Sequence, residues 1–321
     1  MQRTVGYIDG DSRKPWNVPF VRIAGPAEGP TLVVTANVHG DEVTGVLAVQ
    51  ALDAWLGTGL TRGTVVLYPT LNPGGLAAGT RTLPDEGRDL NRLFPGGRRR
   101  RDERLALSIW EHLSARQPDA VVDLHADTTD AIPYAIIDRP VRMSGKDRVV
   151  FGERLTALAK ATRLCILREY PDEQYTRYAL DRSLAGAVVN TLKVPAVTLE
   201  VGPRRYADPA AVGTMLDALL GILDHMGMVD ALDIPLVEAS GPWRRAAAPR
   251  VRVAGLFQPL LRPGDQFDDG DLLGLIRSPQ GKVLEQVTST SRGLVVSWAE
   301  RSWIAAGGIV GTLGVPDGDA V

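Results

Sequence analysis

Two stretches of this sequence place a histidine where a metal ion could use it. In Asn37-Val-His-Gly-Asp-Glu-Val43, His39 and Glu42 stand three residues apart, between an apolar run at 31–36 and a helical pattern. Side chains three apart on a first helical turn share one side and can chelate one ion. The same pair also fits polar punctuation at a helix start, because His-x-x-Glu occurs by chance in many helices. His125 closes the run Ala120-Val-Val-Asp-Leu-His125 and would arrive from a separate strand as a third ligand. Two histidines and a glutamate with an open fourth position are the ligand set of a catalytic zinc, not of a closed structural one. Asp123 suits a carboxylate that orients a ligating imidazole, and Asp41 reads as a helix-start cap.

A base is available in Ala196-Val-Thr-Leu-Glu-Val-Gly202, where an apolar strand ends on Glu200. Such a carboxylate either faces solvent or takes a proton from a metal-activated water. A Gly- and Pro-rich loop carries Asn72, Arg81 and the run Arg88-Asp-Leu-Asn-Arg92. Guanidinium groups near a catalytic metal bind a substrate carboxylate or stabilise an oxyanion. The other two histidines, His112 and His225, sit in helical patterns without ligand-type neighbours and read as packing or capping residues. Cys165, the single cysteine, lies in an apolar run and reads as a small core residue; it excludes an intrachain disulfide.

The elements that must position these groups follow from periodicity. Strands are expected at 31–36, 64–69, 120–124, 134–138, 164–167 and 196–201. Helices are expected at 43–56, 101–115, 147–162, 183–192 and 208–226, with apolar residues spaced by three and four, as in Leu105, Ile109 and Leu113. Their alternation predicts an α/β fold, a mixed sheet with helices on both faces. After residue 230 the helical period gives way to short runs broken by turns such as Arg262-Pro-Gly-Asp265. This predicts a catalytic α/β domain over 1–235 and a small β-barrel-like domain over 236–321. A net charge of -2 gives no reason to expect nucleic acid or an anionic membrane as partner. No signal-like or membrane-spanning stretch is evident, so a cytoplasmic protein is expected. Assembly into a homo-oligomer is left open.

Taken together, His39-Gly-Asp-Glu42, Asn72-Pro, Arg88-Asp-Leu-Asn-Arg92, Asp123-Leu-His125 and Thr198-Leu-Glu-Val-Gly202 resemble the succinylglutamate desuccinylase/aspartoacylase family, which belongs with the zinc carboxypeptidases. The resemblance implies one Zn2+ per chain on His39, Glu42 and His125, with Glu200 as general base and acid. It implies that Arg81 polarises the scissile carbonyl, with Arg88 as competitor, and that Asn91 and Arg92 grip the substrate's α-carboxylate. Aspartoacylases proper use a tyrosine from the C-terminal domain, and no tyrosine follows Tyr206 here. Tyr178 and Arg182, in the Tyr-rich stretch 170–182, are the candidates for the side-chain pocket. Asp172, Glu173 and Asp181 are candidates for a second, cationic amine.

The function expected is hydrolysis of the amide of a small N-acylated amino acid or related metabolite. A zinc carboxypeptidase acting on short peptides is the alternative with the same chemistry. A non-catalytic metal-binding scaffold is the alternative of another class.

Overall fold

The computed structural model describes residues 1–9, 17–85, 87–232 and 240–318. The first eight strands are β1 (Gln2–Ile8), β2 (Val18–Ala24), β3 (Ala27–Ala36), β4 (Arg62–Tyr68), β5 (Ala120–Asp127), β6 (Tyr134–Ile137), β7 (Cys165–Arg168) and β8 (Ala196–Pro203). The helices are α1 (Thr44–Gly59), α2 (Pro73–Ala78), α3 (Arg101–Ser114), α4 (Gly145–Ala161), α5 (Asp172–Arg177), α6 (Leu184–Ala187) and α7 (Pro209–His225). The six expected strands are β3 to β8. Four of the five expected helices are α1, α3, α4 and α7; the expected helix at 183–192 is α6 continued by a wider π-type turn over Val188–Leu192.

Strands β3, β5 and β8 lie side by side and parallel at the centre of the sheet. Their registers align Thr35 with Asp123 and His125 with Glu200. All three chains therefore reach the same edge of the sheet, where functional groups of α/β proteins gather. Side chains alternate between faces along a strand, and β5 uses both. Its Leu124 lies under α1, close to Gly45, so His125 points to the opposite face, toward Asn91. Helix α7 packs against both α1 and α4, and α1 and α7 bury Leu52, Leu56, Met215, Leu219 and Leu223 in the main core. Each such side chain contributes roughly 1.5–3 kcal/mol.

Eight further strands follow: β9 (Trp243–Ala247), β10 (Gly255–Pro259), β11 (Gln266–Phe267), β12 (Leu272–Arg277), β13 (Val283–Thr288), β14 (Gly293–Trp298), β15 (Trp303–Ile304) and β16 (Gly311–Val315). The expected β texture is present, but no closed barrel forms among the described residues. Strand β9 lies parallel beside β7, so β9, β16, β14 and β11 extend the central sheet to twelve strands. Strands β13, β12, β10 and β15 form a second sheet, and the two share a core around Phe257, Phe267, Ile276 and Trp298. The physical reason is edge pairing: β7 would otherwise expose an unpaired row of N–H and C=O groups. The expected boundary at 235/236 lies outside the described residues.

Candidate active site

The loop after β3 is held by Asn37, whose backbone takes a left-handed φ of 56°. Its amide donates to the carbonyls of His39, Gly40 and Glu42 at 2.9–3.0 Å, and its oxygen accepts from Thr70. Gly40 packs flat against α2: a Cβ there would lie 2.1 Å from the carbonyl carbon of Gly75. The loop therefore presents His39 and Glu42 inward. Asp41 caps nothing. Helix α1 starts at Val43 without a side-chain cap, and Asp41 is buried against Arg205 instead, at 3.4 Å.

Glu42 sits between two imidazoles. His39 Nδ1 is 2.8 Å from its Oε1, and His125 Nδ1 is 2.8 Å from its Oε2. The three ligand atoms lie within 4.8 Å of one another, and all three residues are buried. Burial disfavours the Glu42 carboxylate, but the two imidazoles outweigh that and hold it well below its usual range. Burial also disfavours a charged His125, yet Asp123 and Glu42 raise it well above an ordinary histidine.

The outer nitrogens show that this donor set fits a metal. His125 Nε2 lies 3.1 Å from Asp123, which is itself anchored by the Thr35 hydroxyl at 2.7 Å. His39 Nε2 lies 3.2 Å from Asp89. An Nε2–H donating to a carboxylate leaves the Nδ1 lone pair to face a cation, the usual support of a metal-bound histidine. Asp89 was passed over in the sequence, although the motif that contains it stood out. It also accepts from Arg81 and from the Asn91 backbone. Burial opposes its charge, but His39 and Arg81 keep its carboxyl below the usual range.

A cavity of about 180 Å³ opens beside the triad. It is lined by Arg81, Asn91, Arg92 and Glu200, and by Asp127, Tyr134, Asp138, Glu169, Arg204 and Arg245, which the sequence did not single out. Glu200 is buried, which pushes its carboxyl up to about 7; Glu42 and Asp127 add to the shift, while His125 and Arg245 oppose it. Arg81 reaches Glu42 at 3.3 Å. Asn91 is partly engaged, accepting from the Leu184 N–H at 2.7 Å and lying 3.3 Å from His125 Nε2. Arg245 comes from β9, pairs with Glu169 at 2.9 Å and lies over the Tyr170 ring.

Several expected residues are placed elsewhere. Arg88 turns to Asp102 and Glu103, at 3.1 and 3.4 Å, and does not line the cavity. Tyr178 is exposed and meets Tyr170 edge-to-face, and neither it nor Arg182 lines the cavity. Asp172 is taken by Arg148 and Asp181 by Arg142, and neither they nor Glu173 reach it. The helix α5 and the turn after it put these side chains on the outside of the wall. His112 packs on Phe20 and pairs with the Tyr68 hydroxyl at 2.8 Å.

The family model "Succinylglutamate desuccinylase/Aspartoacylase catalytic domain" matches residues 28–226. The chain belongs to this family. The matched residues hold the triad, Asp89, Asp123 and Glu200, but not Arg245. The N-alpha-acetyl-L-2,4-diaminobutyric acid deacetylase of Halomonas elongata is 35% identical over 117 residues, 36% of this chain and 34% of that protein. The alignment thus spans about a third of the length of that curated relative. Among solved structures, a succinylglutamate desuccinylase/aspartoacylase from Rhodobacter sphaeroides superposes with a TM-score of 0.80 at 21% identity, covering 99% of this chain and 96% of that one. The product-bound ectoine utilization protein EutE from Ruegeria pomeroyi gives 0.76 at 22% identity, with 97% and 95% covered. A metallo-carboxypeptidase from Burkholderia cenocepacia gives 0.56 at 18% identity, with 70% and 65% covered. These likenesses establish the family's α/β fold across the chain, including its C-terminal strands. No helix among the described residues is long and apolar enough to cross a membrane.

Proposed function

We propose that this family member is a zinc-dependent amide hydrolase that removes the acyl group from a small N-acylated amino acid. The observation that carries the reading is the buried triad of His39, Glu42 and His125 in a cavity that Glu200 also lines. When bound, a divalent cation there would supply a Lewis acid for the acyl carbonyl and make water more acidic. Glu200, poised near neutrality by its burial, takes a proton from the attacking water and returns it to the leaving nitrogen. The C–N bond breaks, giving a carboxylic acid and a free amine. Arg81, held at the mouth by Glu42 and Asp89, offers its remaining N–H groups to the carbonyl oxygen as charge develops there. Arg92 lines the same cavity and is placed to receive the substrate's α-carboxylate.

Several observations support a small substrate over a long peptide. The C-terminal strands reach the cleft: Arg245 lines it, and β14 ties down the segment after β5, where Thr128 donates to the Trp298 carbonyl at 2.9 Å and the Ile132 N–H to Val296. The name of the Halomonas relative, an acetyl-amino acid deacetylase, agrees with this class.

The test is Glu200→Gln in zinc-reconstituted protein. The variant should hold one zinc per chain and lose turnover by about 10²–10⁴-fold, the usual contribution of a general base. Near-normal turnover would refute the assigned role. A panel of N-acyl amino acids against dipeptides separates the deacylase from a carboxypeptidase. Stoichiometric zinc without hydrolysis of any amide or ester would favour a non-catalytic scaffold.

A further inference from the structure

The lining of the cavity follows one face of the sheet from Glu200 to Asp138. In the antiparallel pair of β6 and β8, Tyr134 stands opposite Glu200 and Ile136 opposite Thr198. All four line the cavity, and so does Asp138, two residues further along the same face. At ~3.3 Å per extended residue, Asp138 lies ~13 Å from Tyr134 along the chain. Ile136, Thr198 and Leu180 form the walls between the two. On this face the cavity thus offers the apolar side chains of Ile136 and Leu180 together with the Asp138 carboxylate.

Asp138 is 4% exposed. Its one side-chain hydrogen bond is accepted from the Tyr175 hydroxyl, at 2.7 Å, and no cation among the described residues pairs with it. Glu169, its acidic neighbour, is already answered by Arg245. Burial pushes the Asp138 carboxyl up to about 7, and Glu169 adds to the shift. The Tyr175 hydroxyl and the charge of Arg92 favour its charged form but do not outweigh the burial.

The charges of the cavity agree. Arg81 is taken by Glu42 and Asp89 beside the triad. Beyond it, the arginines Arg92, Arg204 and Arg245 face four carboxylates, Asp127, Asp138, Glu169 and Glu200. A substrate α-carboxylate consumes one of the three cations and leaves the cavity more negative still. A second substrate carboxylate would meet repulsion there, and a neutral side chain would leave the buried Asp138 without a paired cation.

We propose that Asp138 is a specificity-determining residue that binds a protonated amine at the end of the substrate's side chain. The substrate is then an N-α-acylated diamino acid, with an aliphatic stem against Ile136 and Leu180 and its ammonium on Asp138. This rests on the deacylase reading of the site and narrows it to one substrate class.

The experiment compares kcat/KM of zinc-reconstituted protein for N-α-acetylated 2,4-diaminobutyrate, ornithine and lysine with that for N-acetylnorleucine and N-acetylglutamate. The best diamino substrate should lead the neutral and acidic ones by about 10- to 100-fold, the range that a charge-assisted bond to a buried group supports. In Asp138→Asn that ratio should collapse toward one. Should the variant fail to fold, competitive inhibition of the native chain by the free amino acids gives the same comparison, with the diamino acid binding more tightly than norleucine. Turnover led by the neutral or acidic substrate, or a ratio that survives Asp138→Asn, overturns the assignment and leaves the deacylase standing. Zinc-loaded protein that hydrolyses none of the five overturns both.

Discussion

Removing either carboxylate behind the metal ligands should weaken metal binding by an amount that its surroundings set. Asp89 and Asp123 each meet an imidazole Nε2, at 3.2 and 3.1 Å. Loss of such a partner lowers metal affinity by about 10- to 100-fold, or about 1.4–2.7 kcal/mol. The two sites should divide that range. The Asp123 side chain is 1% exposed and that of Asp89 is 25% exposed, so water screens the second more. Asp123→Ala is expected near the upper limit and Asp89→Ala near the lower. Asp89→Asn keeps an oxygen for His39 and should lose less than Asp89→Ala. Zinc competition with a chromophoric chelator at neutral pH measures each affinity. Turnover at saturating zinc gives a second readout. Asp89 also holds Arg81 at 3.2 Å, so Asp89→Ala should depress kcat even when fully metallated. Unchanged affinity in both alanine variants, or a larger loss at Asp89 than at Asp123, would refute the reasoning.

Two further outcomes follow from packing and charge. Gly40→Ala forces a Cβ onto the Gly75 backbone; such overpacking costs ~1–3 kcal/mol, and thermal melting with zinc titration should show a lower Tm and weaker binding at His39. Unaltered values in both would contradict the close approach. Asp138 is an acid whose folded pKa, about 7, exceeds the ordinary value of ~3.9. The folded state therefore binds the extra proton between those values, and its stability falls as pH rises through that window. Asp138→Asn removes the penalty, so its denaturant stability relative to the native chain should grow by on the order of 2 kcal/mol from pH ~5 to ~8. A pH-independent difference would show that Asp138 stays ionised throughout.

The local part of the site was legible because it is written locally. His39 and Glu42 share one turn, and the strand-end positions of His125 and Glu200 follow from apolar runs that stop at them. The α/β alternation was equally readable, since buried parallel strands and amphipathic helices have different periods. Asp89 lies inside the Arg88-Asp-Leu-Asn-Arg92 run, but its contacts with His39 and Arg81 form only in the fold. For Arg81 and Arg88, sequence gives two arginines in one loop but not which one turns inward. Asp102, at the start of α3, draws Arg88 away.

By itself the sequence determined the candidate ligands, the candidate base, the order of the central elements and a β-rich C-terminal segment. Those depend on residue type and on spacings within one element. The tertiary structure decided which charges meet in the cavity. Asp138, Glu169, Arg204 and Arg245 each stand alone in the sequence, on β6, β7, β8 and β9 or just beyond their ends, with nothing local to mark them. Strand order joins them, because β9 crosses from the C-terminal segment to pair with β7 and carries Arg245 to Glu169. Pairing between strands far apart in the chain has no local signature, and the charge balance of the cavity is set by it.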